Sequence, residues 1–173
     1  MQVLKQFSLP IKGLKIGTHD YRFDIDKGFF SAHDHSPYKN GDIEGKLQLE
    51  KKTDHLILNV EFKGTLELEC DRCTDIIDYP TKGASEILIK YSEDEREEEE
   101  VIYIHPESPE FNCSKVFFDA ILLGMPLHKT CDDLEDKDCD PEILKILNAE
   151  VEEDPEKETA LSQALKDIDI TKN

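Results

Sequence analysis

Two cysteines three positions apart, Cys70 and Cys73, are the residues of this chain best suited to chemistry. They follow a stretch in which apolar and polar residues alternate, so the pair lies where a predicted strand ends. A tight turn of this kind presents two sulfur atoms on one side, at a separation that suits a tetrahedral zinc ion. The spacing therefore predicts half of a structural zinc site.

Zinc needs two further ligands to close such a site. The downstream candidates are Cys131 and Cys139, which stand among several aspartates. Seven residues separate these two cysteines, more than the two to four that are usual for a ligand pair. The spacing therefore supports the second pair less strongly than the first. His128 is a reserve ligand.

Other interpretations of the thiols stay open. A redox Cys-x-x-Cys pair usually lies at a helix N-terminus, which lowers the thiol pKa, whereas the residues after Cys73 look extended. A thiol enzyme that uses Cys70 or Cys73 is therefore the weaker alternative. Structural cysteines in a metal-free binding domain are another. Cys113, on a predicted helix, is expected to be a small packed hydrophobe.

Composition narrows the function classes. The chain has 173 residues, 38% of them hydrophobic and 35% charged, with a net charge of −19. Nucleic acid is bound through Lys and Arg, so an acidic surface repels it unless the RNA meets a local basic face or a basic protein partner. High net charge also simply keeps a protein soluble.

The basic residues are biased toward the start of the chain, which is where a direct RNA contact would be sought. Those among residues 1–40 are Lys5, Lys12, Lys15, Arg22, Lys27 and Lys39. Motifs for phosphate binding or hydrolysis are not found, which favours binding of a macromolecule over turnover of a small-molecule substrate.

The number of cysteines and the distribution of apolar residues indicate the cellular compartment of the protein. Five cysteines are an odd number, and the start of the chain lacks the apolar region of a secretory signal. No stretch approaches the roughly eighteen apolar residues that span a bilayer. We therefore expect a cytoplasmic protein with reduced thiols and no membrane segment.

Period-two alternation predicts strands in the first two thirds of the chain. The predicted strands are 43–49, 56–62, 65–70, 84–91 and 101–104, with a weaker candidate at 23–30. Asn40-Gly41 and Gly64 are interpreted as turns between strands. The run of like charges at 93–100 predicts a long solvated hairpin loop. Together these features predict an antiparallel sheet, either a meander or barrel-like.

The part of the sequence after these strands predicts helices instead. Apolar residues at helical spacing indicate an amphipathic helix from Cys113 to Met125, with Asn112 or Ser114 as its cap. A second helix is predicted from Pro141 to Leu147, since proline suits a first helical position. The fold class is therefore α+β, with one domain over 1–147 and an acidic, mobile tail over 148–173.

Three features in order resemble the YceD family, the large ribosomal RNA subunit accumulation proteins. The first is the strand and pair 66–73, LELECDRC; the second is the helix end 121–127, ILLGMPL; the third is Cys139-Asp140-Pro141. The resemblance covers roughly residues 1–147. The family usually has a histidine five residues after the proline that corresponds to Pro126, where this chain has Cys131. That exchange keeps a zinc ligand, and so it favours Cys131 over His128.

The resemblance implies a role in the accumulation or processing of large-subunit ribosomal RNA. We expect a non-enzymatic accessory protein of ribosome biogenesis that acts by binding either ribosomal RNA or a basic ribosomal protein. The expected zinc ligands are Cys70, Cys73, Cys131 and Cys139, which would join the helical part of the chain to the sheet. The family's aromatic C-terminal segment is replaced here by the charged residues 154–158, which weakens any inference about the tail.

Overall fold

The computed structural model describes residues 3–93 and 101–149. The chain has α+β architecture, as predicted, with an open five-stranded sheet rather than a closed barrel. The strands are β1 Ser8–Pro10, β2 Gly17–Ile25, β3 Asn40–Lys51, β4 His55–Glu69, β5 Ile76–Tyr91, β6 Val101–Ile104 and β7 Glu110–Asn112. The helices are α1 Lys27–Ala32, α2 Ser114–Gly124 and α3 Pro141–Leu147, with short 3-10 turns at Val3–Phe7 and Cys131–Asp133.

The main sheet has the strand order β2-β3-β4-β5-β6, and its first four strands form the predicted antiparallel meander. The last pairing differs from the prediction. β6 runs parallel to β5, with Val101 beside Leu88 and Ile104 beside Tyr91. The predicted hairpin between them is therefore wrong, because a hairpin joins antiparallel strands. Most of the glutamate run, 94–100, lies outside the described residues.

Two predicted turns lie inside strands. β4 continues through Gly64, and a Cβ at this position would lie 2.1 Å from the carbonyl oxygen of Asp42 on β3. The glycine thus permits a close approach of two strands and does not separate them. Asn40-Gly41 likewise begins β3, paired with Glu67 and Leu66 of β4. Cross-strand pairing overrode the local turn preference at both places.

The weak strand candidate at 23–30 divides into two elements. β2 ends at Ile25, and α1 begins two residues later. The Asp26 carboxylate accepts hydrogen bonds from the backbone N–H groups of Gly28 (2.8 Å) and Phe29 (3.2 Å). An aspartate at this position is a strong helix N-cap. The second half of the predicted strand is therefore the start of α1 instead.

The core lies between one face of the sheet and α2. Across four neighbouring strands that face presents Phe23, Gly45, Phe62 and Gly83 side by side. The Phe117 ring of α2 occupies the space above Gly45, where a Cβ would lie 2.7 Å from it. Phe117 also packs edge-on against Phe23, at 5.3 Å between ring centroids. Alternation of large and absent side chains lets the helix lie close to the sheet.

Contacts divide the chain into two compact units, Met1–Cys139 and Asp140–Asn173. The described part of the second unit contains α3, which has Pro141 at its first turn and an Asp140 side chain that accepts from the Glu142 N–H at 2.7 Å. The predicted helix is thus present with its expected start. The predicted boundary after residue 147 stays a prediction, and residues 150–173 of the tail lie outside the described part. Within 3–93 and 101–149, no helix is long and apolar enough to cross a membrane.

Candidate metal centre

Four cysteine sulfurs meet at the end of β4. The Sγ atoms of Cys70, Cys73, Cys131 and Cys139 all lie within 4.8 Å of one another. Cys70 and Cys139 are 3.7 Å apart, and Cys73 and Cys131 are 3.6 Å apart. Four sulfurs at about 2.3 Å from a zinc ion stand about 3.8 Å from each other in a regular tetrahedron. The arrangement therefore fits a tetrahedral ion, and its sulfur separations are far from the roughly 2.05 Å of a disulfide.

The knuckle at Cys70 and Cys73 is built by local hydrogen bonds. The Cys70 N–H donates to the carbonyl of Asp75 at 2.8 Å, and the Thr74 N–H donates to the carbonyl of Cys70 at 2.9 Å. The Arg72 N–H donates to the Cys70 sulfur at 3.4 Å. These bonds close a tight turn after the strand, and they direct both sulfurs to one side, as the spacing predicted.

Thr74 completes this turn in an unfavourable backbone conformation. Its φ is 65°, in the left-handed region that a β-branched residue rarely adopts. The left-handed conformation costs an L-residue about 1–2 kcal/mol, which the turn imposes on Thr74. The position is exposed, so its side chain contributes little packing in return.

Replacing Thr74 with glycine is expected to stabilise the protein. Glycine adopts positive φ without strain but loses more backbone entropy on folding, so the net gain should be about 0.5–1 kcal/mol. The free energy of unfolding from urea titration measures it. Thr65→Gly, at an exposed position of β4 with ordinary backbone geometry, is the matched control and should lose stability. Equal losses in the two variants would contradict the strained turn.

The other two ligand candidates come from the segment after α2. Cys131 begins a 3-10 turn with Thr130 as its cap: the Thr130 N–H donates to the Asp133 carboxylate at 2.7 Å. The Leu134 N–H donates to the Cys131 carbonyl at 2.9 Å. The aspartates that flank these cysteines in sequence therefore shape the turn. Neither they nor His128 belong to the four-ligand group found among the described residues.

Polar links hold the two halves of the centre together. The Asp71 N–H donates to the Lys129 carbonyl at 2.9 Å, and the Asp71 carboxylate accepts from the Lys129 backbone N–H at 2.8 Å and its ammonium at 2.7 Å. Arg72 pairs with Asp132, and the Lys137 ammonium donates to the Ile76 carbonyl. Sequence reasoning missed these positioning residues. Their only signal was opposite charge between segments far apart in sequence.

Three of the thiols in the centre, those of Cys70, Cys131 and Cys139, differ in pKa. Burial alone would raise the pKa of Cys70, but hydrogen bonds from the backbone N–H groups of Cys73 and Arg72 favour the thiolate and lower that pKa to about 6. Burial raises the pKa of Cys131 and of Cys139, and hydrogen bonding with the neighbouring thiols raises both further. Among these three, Cys70 therefore favours the thiolate form most, and a bound divalent cation would favour the thiolate forms of Cys131 and Cys139 as well.

The fifth cysteine stands apart from the centre. Cys113 is buried beside the start of α2, where its thiol donates to the Phe7 carbonyl at 3.1 Å. Burial raises the pKa of Cys113 to about 12, so the group stays a neutral thiol. This confirms the prediction of a packed residue, and it makes Cys113 a natural control for experiments on the other four.

A mostly antiparallel sheet whose strand β4 ends in a Cys-x-x-Cys knuckle, completed by two cysteines from beyond the covering helix, defines a class of small α+β protein with a four-cysteine centre. The model of one family, described as large ribosomal RNA subunit accumulation protein YceD, matches residues 58–169 of this chain. The chain belongs to that family. The matched range includes all four cysteines, and the family's name connects it with accumulation of large-subunit ribosomal RNA. Neither a curated protein nor a solved structure matches this chain.

Proposed function

We propose that this protein is a cytoplasmic accessory factor of ribosome biogenesis that acts by binding a component of the large subunit. The family match carries the ribosomal part of this proposal. The binding part is supported by the cysteine centre. The thiols are the chain's most reactive side chains, and in this centre they have a structural role rather than a catalytic one. Such a factor would support accumulation or processing of large-subunit RNA without catalysing a reaction.

Burial of the thiols supports a structural role over a catalytic one. Cys70 is 1% exposed and Cys73 is 3% exposed, whereas a redox or nucleophilic thiol must reach its substrate. A centre with four protein ligands also leaves no open position on the metal. The lowered pKa of Cys70 is the one observation in favour of a thiol enzyme, and metal ligation needs the same thiolate.

Zinc is the ion that this site fits best. Four thiolates in tetrahedral arrangement select zinc or iron–sulfur chemistry over oxygen-preferring ions such as magnesium and calcium. The sulfur separations of 3.6 and 3.7 Å match a single zinc ion. Bound there, zinc would tie Cys73 to Cys131 across 58 positions of sequence and stabilise the fold by closing that long loop.

The charge of the molecule favours a basic ribosomal protein as the partner. The net charge is −19, and the segment that carries Cys131 and Cys139 adds exposed acids beside the metal centre. They are Asp132, Asp133, Glu135, Asp136 and Asp138. An acidic surface attracts a cationic ribosomal protein and could shield it until it meets RNA.

Depletion of the protein is expected to lower the amount of large-subunit RNA relative to small-subunit RNA in the cell. Wild-type protein should restore the ratio, and affinity purification at moderate salt should recover a basic large-subunit protein. Recovery of large-subunit RNA without any basic ribosomal protein would refute the shielding mechanism. An unchanged RNA ratio after depletion would refute the proposed function.

A further inference from the structure

Besides Lys90 near the end of β5, the solvent face of the main sheet carries one basic side chain on each of its four antiparallel strands. These residues, which we call the basic stripe, are Arg22 on β2, Lys46 on β3, Lys63 on β4 and Lys82 on β5. All four are exposed, and they alternate along their strands with residues of the core face. The stripe runs obliquely across the sheet. Sequence alone could not show it, because the four residues lie in four separate strands.

Strand register places like charges directly opposite each other in the stripe. Arg22 pairs with Lys46 across β2 and β3, and Lys63 pairs with Lys82 across β4 and β5. Like charges at opposed positions destabilise a sheet. Such an arrangement is unfavourable in the isolated protein, and it becomes favourable when an anion lies between the cations.

Few of these cations are neutralised within the molecule, despite its excess of carboxylates. Lys63 lies 3.7 Å from Glu44. Over residues 3–93 and 101–149, Arg22, Lys46 and Lys82 form no ion pair. Glu61 stands opposite Lys46 in the register but does not pair with it. The stripe therefore keeps three cations available to a partner.

The same face is concave at the stripe. One depression of about 420 Å³ is lined by Lys46, Lys63 and Lys82 together with Glu44 and Glu61. Another of about 530 Å³ is lined by Arg22 and Lys46 together with Asp20 and Glu61. Lys46 and Glu61 border both, so the depressions adjoin along the stripe. Basic side chains outnumber acids in the first depression and equal them in the second, so an anion would be held by the cations of the stripe individually rather than by a uniformly positive surface.

We propose that the basic stripe binds the phosphates of a single-stranded RNA segment. This rests on the proposed function, which brings the protein to the large subunit, and it adds the surface that touches RNA. The neighbouring acids Asp20, Asp24, Glu44 and Glu61 oppose a broad array of phosphates. They therefore favour a single RNA strand lying along the stripe over an RNA duplex, which carries two phosphate backbones. Lys63 is seven residues from Cys70 on one strand, about 23 Å at 3.3 Å per residue, so the stripe is separate from the metal centre.

The test is binding of a 20-nucleotide oligouridine RNA over a range of salt concentrations, with the zinc-loaded full-length protein. Four phosphate contacts predict a slope of log affinity against log salt near −2.8, from about −0.7 for each contact with a single strand. Lys46→Gln/Lys82→Gln should reduce the slope to about −1.4 and weaken binding about 25-fold at about 0.1 M salt. The control is Lys5→Gln/Lys115→Gln, which removes the same charge from two exposed lysines away from the stripe, one in the first 3-10 turn and one on α2.

Loss of affinity in the stripe variant with an unchanged control supports the proposal. Equal effects of the two double variants, or no binding by the wild-type protein, would overturn it. Thermal unfolding of the stripe variant should occur at the same temperature or slightly higher, since like-charge repulsion is removed.

Cosedimentation with large-subunit precursor particles separates the two proposals. If the stripe variant leaves the particles while its oligouridine affinity is unchanged, the stripe contacts a protein and the RNA proposal fails. If the wild-type protein never joins the particles, the proposed function fails instead.

Discussion

Replacing Cys131 with alanine is expected to abolish zinc binding and to destabilise the protein severely. Elemental analysis of protein purified without chelator should find one zinc per wild-type chain and none in the variant. The loss in free energy of unfolding should be on the order of 5 kcal/mol or more, since structural zinc contributes about 10–16 kcal/mol in small zinc-binding peptides. The reason is geometric: Cys131 stands 3.6 Å from Cys73 and completes the four-sulfur group.

Cys113→Ala is the matched control, because it also removes a buried thiol but lies outside the metal centre. It should keep its zinc and lose only about 1–2 kcal/mol, from a small cavity and one lost thiol hydrogen bond, since the Phe7 carbonyl still accepts from the backbone N–H at this position. Thiol titration gives an independent readout. The four centre thiols of native protein should resist modification and become reactive once a chelator is added. A reactive Cys70 in protein that carries no metal would contradict the zinc site and favour the thiol enzyme.

Replacing Phe117 with alanine is expected to cost about 3–5 kcal/mol, the range for truncating a large buried aromatic. The Phe117 ring is fully buried and lies over Gly45, in contact with Phe7 and Phe23. Its removal leaves a cavity where α2 meets the sheet, and the glycine offers no side chain to fill it. Urea unfolding followed by circular dichroism measures the loss.

Leu123→Ala on the same helix provides the comparison. Leu123 is 85% exposed, so its truncation should change stability by less than about 0.5 kcal/mol. A similar loss in both variants would show that helix propensity, rather than the contact with the sheet, sets the stability of α2. Zinc content should stay at one per chain in Leu123→Ala.

Local pattern predicted much of this fold because strand periodicity reports burial directly. The alternation over 43–49 and 56–62 placed the inward-facing residues of β3 and β4 correctly, and the 3.6-residue spacing predicted α2 to within a residue of its start. The direction of β6 was not accessible in this way. Four apolar residues read the same in a parallel and an antiparallel pair, so only contacts distant in sequence settle it.

The candidate site was predicted unevenly for a similar reason. Residue type and spacing identified Cys70 and Cys73, and the family resemblance then supported Cys131 over His128. All four cysteines indeed lie together. The links from Asp71 to Lys129 and from Arg72 to Asp132 join positions about sixty residues apart, and no local rule pairs one surface charge with another at that distance. The basic stripe was hidden for the same reason, because it exists only once four strands are in register.

The wide separation of the two cysteine pairs has a consequence for synthesis on the ribosome. Cys139 follows Cys70 by 69 positions. At an elongation rate of about 5–20 residues per second, the first cysteine emerges roughly 3–14 s before the last. Until Cys131 emerges, the nascent chain can offer only the two knuckle cysteines of the four in the centre. Binding of a zinc ion by all four cysteines would therefore require that the sheet and its covering helix have both been synthesised.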